Sequence, residues 1–167
     1  MWLAVVAGIL GLSDSASADW QGTKWGMSPE QADKSFRIPH KPVTDDPPGM
    51  RFLKGYFKFQ YTTGNIAFDR GGLHFDHGRL NLISMELKDA TQCDDLLEAL
   101  RGIYGDPAAD EQNEHARTVI WHDNNNNNKI TLQHYAQYAK TCWLNYEPLK
   151  PLKPFPPFKL TPAPGGL

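Results

Sequence analysis

The sequence lacks an excess of charge of either sign, because Lys and Arg together number 17 and Asp and Glu together number 19. A basic surface is what attracts nucleic acid or an anionic membrane, so this balance argues against a nucleic-acid partner. The sequence also lacks C-x-x-C and G-x-S-x-G motifs and a glycine-rich phosphate loop that leads into a helix. These absences argue against redox, α/β-hydrolase and nucleotide chemistry.

No apolar run in the sequence is long enough to span a bilayer. The longest, residues 3–12, has roughly ten residues where about 20 are needed, but it matches the core of a signal peptide. The small-x-small site Ala16-Ser17-Ala18 follows, so we predict a signal peptide over residues 1–18 and a periplasmic or secreted mature chain without a membrane span. No Lys or Arg precedes the run, so either the natural start lies upstream or the leader is atypical. The alternative is a buried N-terminal helix.

Cysteine is scarce, and an even count in an exported chain predicts a disulfide between Cys93 and Cys142. Cys93 opens a stripe of apolar residues at helical spacing, and Cys142 alternates with Leu144 and Tyr146 as on the inward face of a strand. A helix resting on a sheet would bring the two thiols together. The cross-link would stabilise the fold by about 4 kcal/mol on the chain-entropy model. Two free buried thiols or a redox pair are the alternatives.

The periodicities predict one α+β domain over residues 20–146, in the order helix, three strands, helix, three strands. We expect a single antiparallel sheet with the helices on one face. Ser28-Pro29-Glu30-Gln31 has the features of a helix start, and the second helix is expected from near Thr91 to Gly105. Apolar residues, in most of these segments at period two and in residues 80–87 on both faces, predict six strands, over residues 52–61, 66–75, 80–87, 119–121, 130–134 and 142–146.

The remaining segments are expected to be irregular. Gly71-Gly72 interrupts the second strand and indicates a β-bulge. Residues 108–116 and the asparagine run 124–128 are predicted to be polar loops. Residues 147–167 are rich in proline and predict a flexible, extended tail. No internal repeat is evident.

Three short motifs resemble a group of small exported bacterial proteins of unassigned function. They are W-G-M-S-P-E from Trp25, F-D-H-G-R-L from Phe75 with His77 as an extra residue, and L-x-x-I-Y-G-D-P from Leu100. The layout is also similar to that of β-lactamase-inhibitor-like modules and of the small lipoproteins of outer-membrane assembly. This resemblance implies binding of a protein and no catalysis. It supplies no binding residues, because only scaffold motifs match, and the chain has no lipidated Cys at the predicted cleavage site.

Aromatic residues are the first candidates for a functional surface. Tyr and Trp combine apolar area with a polar tip, which suits interfaces. Trp25, Tyr135 and Trp143 are the candidate binding surface, since the last two fall on the parity opposite the expected core. The alternative is that these rings form a second small core.

A metal site is the second candidate. His74 and Asp76 would share a strand face, while His77 falls in the following turn. Zinc needs about four converging ligands, and the sequence shows no further cluster. We therefore assign no catalytic residue, no metal and no cofactor, and keep His74 and Asp76 only as weak metal ligands.

The sequence thus predicts an exported, non-catalytic envelope protein that binds another protein or a small ligand. The partner would be an envelope component, and the oligomeric state is left open. The alternative is a small periplasmic hydrolase or metal-dependent enzyme that uses His74 and Asp76.

Overall fold

A computed structural model describes residues 20–42, 57–135 and 140–152 of the chain. Within these residues, two α-helices and eight strands alternate as one helix followed by four strands, twice. The bounds are α1 Pro29–Ser35, β1 His40–Pro42, β2 Phe57–Thr63, β3 Ile66–Asp76, β4 Arg79–Leu87, α2 Cys93–Tyr104, β5 Ala109–Gln112, β6 Arg117–Asp123, β7 Asn128–Tyr135 and β8 Thr141–Pro148.

All eight strands belong to one antiparallel sheet with the order β1-β2-β3-β4-β8-β7-β6-β5. The two halves of the chain each form a four-stranded meander, and the last strands of the two meanders pair with each other. The sheet is therefore arranged symmetrically about the β4–β8 pair. This repeated unit was not evident in the sequence. The two halves have the same order of helix and strands, but they share no conspicuous run of residues.

The predicted α+β fold of helix, three strands, helix, three strands was wrong. The protein is a β-rich fold dominated by an eight-stranded sheet with two short helices. The two strands missed by the sequence analysis, β1 and β5, are the two edges of the sheet. An edge strand pairs on one side only and tolerates proline and charge. His40–Pro42 and Ala109–Gln112 therefore carry no alternating apolar pattern.

The start of α1 follows the capping-box prediction. The Ser28 hydroxyl accepts a hydrogen bond from the Gln31 backbone N–H, and the Gln31 side chain accepts one from the Ser28 backbone N–H. The second helix begins at Cys93, after a short 3-10 turn, and ends at Tyr104. Gly105 caps it with a φ of 76°, a conformation that glycine adopts at little cost. Both helices contribute buried residues to one continuous core.

Two of the motifs behind the family resemblance meet in the structure. The Gly26 N–H donates to the Leu80 carbonyl at 2.9 Å, and the Leu80 N–H donates to the Met27 carbonyl at 2.8 Å. Nearby, the Trp25 indole N–H donates to Asn128 Oδ1 at 2.9 Å in the protein interior. In the third motif, the Gly105 carbonyl accepts a bond from the Trp121 indole at 3.0 Å. Scaffold contacts therefore account for these motifs.

The core lies between the helices and one face of the sheet. Along each central strand, alternate residues point into it, as in Ile83 and Met85 of β4 and Leu144 and Tyr146 of β8. The predicted disulfide is confirmed: Cys93 and Cys142 are bonded, with 5.9 Å between their Cα atoms, and join the start of α2 to the start of β8. The cross-link thus holds α2 against the strand that joins the two meanders.

The chain continues in the sheet beyond the predicted domain end at residue 146. β8 runs to Pro148, and the Leu149 N–H donates to the Asn127 carbonyl at 2.9 Å. The predicted signal peptide and residues 153–167 of the predicted tail lie outside the described residues. No helix in the described residues is long and apolar enough to cross a membrane.

A substitution at Gly71 tests the packing of the core face. A Cβ atom on Gly71 would collide with the Phe59 ring, which lies across from it in the β2–β3 pair. We expect Gly71→Ala to lower the free energy of unfolding by about 1–3 kcal/mol, as overpacked core positions do. Chemical denaturation gives the measurement.

Gly102→Ala is the matched control, because a Cβ there meets nothing within 4 Å and the residue lies within α2. It should raise the free energy of unfolding by about 0.5–1 kcal/mol through helix propensity. Equal effects of the two substitutions would contradict the packing described for Gly71.

Candidate functional site

The sheet face turned away from the helices, here called the helix-free face, carries a band of polar residues across its centre. In one lateral row, neighbouring strands place Gly72, Ser84, Asn145 and Thr131 side by side. In the adjacent row they place Arg70, Glu86, Trp143 and Gln133 side by side. The β4–β8 pair forms the middle of both rows, so the two meanders contribute jointly to this surface.

Several of these polar residues are buried although neither α1 nor α2, the α-helices of the described residues, covers them. The exposed fraction is 8 % for Ser84, 3 % for Glu86 and 8 % for Thr131. A buried polar group costs free energy unless it finds a hydrogen-bond partner. The Glu86 Oε2 and Thr131 Oγ1 atoms have no hydrogen-bond partner among the described residues. The centre of the helix-free face therefore holds a carboxylate oxygen and a hydroxyl whose hydrogen bonds are not satisfied within the described residues.

A β-bulge positions the basic residue of this band. Phe68 pairs with Leu87, yet Arg70 pairs with Glu86, so Asp69 is the extra residue in β3. The irregularity was predicted at Gly71-Gly72 and lies just before it. As a result, Arg70 Nη2 donates to Glu86 Oε1 at 2.6 Å.

The Arg70–Glu86 pair is asymmetric in its exposure. The Arg70 side chain is 68 % exposed and the Glu86 side chain 3 % exposed. Burial raises the pKa of the Glu86 carboxyl, and the Arg70 guanidinium opposes that rise. The Arg70 guanidinium also lies 6.0 Å from the centre of the half-buried Trp143 ring. The pair thus places a cation, a carboxylate and an indole side by side.

A histidine and a serine form the second polar contact of the band. His74 Nε2 and Ser84 Oγ are 2.7 Å apart, and both side chains are buried. Burial lowers the pKa of His74 to about 4, so the imidazole is neutral near neutral pH. In the sequence no base stands beside Ser84, and the structure brings His74 to it from the neighbouring strand. This contact could not be predicted from the sequence, because it depends on the pairing register of β3 with β4 and on the bulges in that pairing.

A groove of about 960 Å³ lies over the β1–β4 side of the helix-free face. Its walls include Pro39–Pro42 at the sheet edge, and its lining includes Gln60, Asp69–Gly72, Ser84 and Trp143. Gly72 lies between Lys58 and Ser84 on neighbouring strands. Because it has no side chain, the groove is deeper at this position. The volume lies within the range of small-molecule sites in proteins.

The structure separates the three aromatic residues predicted as a binding surface. Trp25 has to be corrected: it is buried at 6 % exposure and belongs to the core, because its indole is bound to Asn128. Asn128, predicted as loop, starts β7 and is buried as well. Trp143 and Tyr135 are half-buried, and their strand positions place both on the helix-free face.

The two residues suggested as weak metal ligands do not form a common site. His74 is bound to Ser84, whereas Asp76 is exposed and lies 2.7 Å from His77 Nδ1. A bulge separates the two positions in the β3–β4 pairing. Among residues 20–42, 57–135 and 140–152, no group of three or more His, Cys, Asp or Glu side chains could hold a metal ion.

Comparison with known proteins found no matching family model, curated protein or solved structure. Sequence reasoning missed Arg70 and Glu86 as a pair. The one available signal was Glu86 itself, the one charged residue between Leu80 and Leu87.

The depressed pKa of His74 predicts a pH dependence of stability. Between about pH 6.5 and 4 the unfolded chain takes up a proton at this residue that the folded chain does not. The free energy of unfolding should therefore fall as the pH is lowered through this window, by up to roughly 3 kcal/mol from this residue. Chemical denaturation at pH 7, 6, 5 and 4.5 measures the fall.

The variant His74→Gln should show a flatter pH profile than the wild type, because its side chain does not titrate. His122→Gln is the control, since it removes an exposed histidine of β6 and leaves the buried His74 in place. Parallel profiles for the wild type and His74→Gln would show that His74 is not buried in its neutral form.

Proposed function

We propose that this protein is an exported, non-catalytic binding protein of the cell envelope that holds its ligand on the helix-free face. The observation that carries the proposal is the burial of Ser84, Glu86 and Thr131 on the face turned away from α1 and α2, the two α-helices of the described residues. A sheet that only had to fold would gain stability from apolar residues at these positions. Their retention is explained if the polar groups contact a ligand.

Two further observations support export and binding. The apolar run of residues 3–12 before Ala16-Ser17-Ala18 and the Cys93–Cys142 disulfide both suit an oxidising, extracytoplasmic compartment. The groove beside Trp143 offers a concave surface with an aromatic side chain and several polar groups, which is typical of binding sites. The resemblance to protein-binding envelope modules agrees with the same proposal.

A photo-crosslinking amino acid at position 60 tests the proposal in the native envelope. Gln60 is exposed and lines the groove, so we expect a defined crosslinked species that disappears when Trp143→Ala is added. The same amino acid at position 103 is the matched control, because Ile103 is 70 % exposed on α2 and away from the groove. Identical products from positions 60 and 103, or no product from position 60, would count against binding on this face.

A serine hydrolase is the second candidate function, favoured by the 2.7 Å contact of Ser84 with His74. In that reaction Ser84 Oγ would bond to the acyl carbon of an ester while its proton passes to His74 Nε2. The alcohol would leave with that proton, and water would then release the acid. The central position of β4 argues against it, because β4 is paired on both sides. The backbone N–H groups there are committed to the sheet, and none is spare for an oxyanion.

An alkyl fluorophosphonate separates the two candidates. For the non-catalytic protein we expect no adduct in the intact mass of the wild type. An adduct on Ser84 that is absent from Ser84→Ala and slow to form in His74→Gln would favour the hydrolase and overturn the non-catalytic assignment.

A further inference from the structure

We infer that the groove on the helix-free face binds a small organic phosphate monoester, with its phosphate beside Lys41 and Lys58 and its organic part directed toward Trp143. This inference depends on the proposed binding function and adds the chemical class of the ligand. The charge of the groove, the register of its strands and its shape all support it.

Basic side chains outnumber acidic ones around this groove. Among the described residues that line it, Lys41, Lys58 and Arg70 are cations and Asp69 is the one carboxylate. All three cations are exposed. Glu86, which does not line the groove, accepts a hydrogen bond from Arg70 and offsets one further positive charge. Three cations against these two carboxylates leave an excess of positive charge, which favours an anionic ligand.

Strand pairing places two of these cations directly opposite each other. Lys41 on β1 pairs with Lys58 on β2, so both side chains leave the sheet on the same face. Like charges directly opposite in antiparallel strands destabilise the pair. Lysine on an edge strand prevents pairing with other chains, which would account for Lys41 but not for Lys58, because β2 is paired on both sides. An anion held by both ammonium groups offsets the repulsion.

The third cation stands beside the lysine pair. Lys58 pairs with Gly72, and Arg70 lies two residues before Gly72, on the same face of β3. Lys58 and Arg70 are therefore diagonal neighbours, about 7–8 Å apart. Gly72 has no side chain to fill the space between them. Three cations around this space suit the two charges of a phosphate monoester better than the single charge of a carboxylate.

The contacts of Arg70 hold its guanidinium at the groove. Its Nη2 donates to Glu86 Oε1 at 2.6 Å, and its Cζ lies 6.0 Å from the centre of the Trp143 ring. A guanidinium has five N–H donors, and the hydrogen bond to Glu86 uses one of them. Arg70 can therefore donate to a phosphate oxygen while it stays bound to Glu86.

The shape of the groove leaves room for an organic part beyond the phosphate. Ser84 lies beside Gly72, and Asn145 lies beside Ser84 in the same row. Trp143 precedes Asn145 by two residues and shares its face. Gly72 and Trp143 are thus two strand spacings apart, or about 10 Å across the sheet. The half-buried indole offers an apolar surface to a ring, and the groove of about 960 Å³ accommodates a ligand of this length.

Isothermal titration calorimetry with four probes tests the inference at about pH 8, where a phosphate monoester is doubly charged. The probe 1-naphthyl phosphate combines two charges with a flat ring, whereas 1-naphthoate has one charge, 1-naphthol has none and inorganic phosphate has no ring. We expect 1-naphthyl phosphate to bind most tightly, and its affinity to fall as sodium chloride screens the charges. Equal or tighter binding of 1-naphthol or 1-naphthoate would overturn the inference, as would no binding of 1-naphthyl phosphate.

Variants separate the contribution of charge from that of the ring. Lys41→Gln and Lys58→Gln together should weaken binding of 1-naphthyl phosphate about tenfold or more. Trp143→Ala should weaken it too but leave the affinity for inorganic phosphate unchanged, because it removes the ring contact and no charge. Lys34→Gln is the control, since it removes an exposed lysine from α1, away from the groove. Binding that the double lysine variant leaves intact, or that Lys34→Gln weakens equally, would overturn the inference.

Vesicles of phosphatidylcholine with and without phosphatidic acid distinguish a small ligand from a lipid headgroup, which can carry the same phosphate monoester. We expect the protein to bind neither vesicle more tightly than it binds 1-naphthyl phosphate. Sedimentation with the phosphatidic acid vesicles alone, without binding of 1-naphthyl phosphate, would overturn the small ligand.

The crosslinking experiment at position 60 distinguishes failure of the inference from failure of the proposed function. A Trp143-dependent crosslinked species, with no 1-naphthyl phosphate bound, would overturn the phosphate monoester and leave the binding function standing. Failure of both the crosslink and the titration would overturn both.

Discussion

The pairing of β4 with β8 is the contact on which the rest of the structure depends. It joins the two meanders into one sheet by pairing strands that are distant in sequence. The paired residues run from Ile83 with Tyr146 to Glu86 with Trp143. On one face it places Ile83, Met85, Leu144 and Tyr146 in the core, and on the other it places Glu86 beside Trp143. Because side chains alternate along a strand, a slip of one residue would exchange these two sets. The disulfide at Cys142, the second residue of β8, helps to hold this strand in place.

Local sequence signals were sufficient for the helices, the cross-link and the central strands. Ser28 and Gln31 are neighbours along the chain, and the stripe beginning at Cys93 needs only helical spacing to be recognised. The edge strands β1 and β5 were missed because the features that suit an edge, proline and charge, are those that argue against a strand in the sequence. The error in the predicted fold class follows largely from the omission of these two strands.

The candidate site could not be predicted because it depends on register between strands that are distant in sequence. Arg70 meets Glu86 only because Asp69 is bulged, and Glu86 meets Trp143 only because the two meanders pair. Trp25 was misplaced for a related reason: an aromatic residue in a polar segment looks exposed until its partner, Asn128, is known. Trp143 could be placed correctly because its parity relative to Cys142 and Leu144 can be read within one strand.

The two faces of the sheet use the same β4–β8 pair for different purposes. On the core face, Ile83 and Met85 are buried against apolar neighbours and need no further partner. On the other face, Ser84 and Glu86 are buried nearly as completely, but their polar atoms depend on single contacts with His74 and Arg70. Of these two contacts, the one with Arg70 comes from an exposed side chain. Keeping it in place costs conformational entropy, because the rotamers of Arg70 must be ordered. The carboxylate of Glu86 provides that order and holds the Arg70 guanidinium at the groove, which is a physical reason for a folded protein to keep a carboxylate in the middle of its sheet.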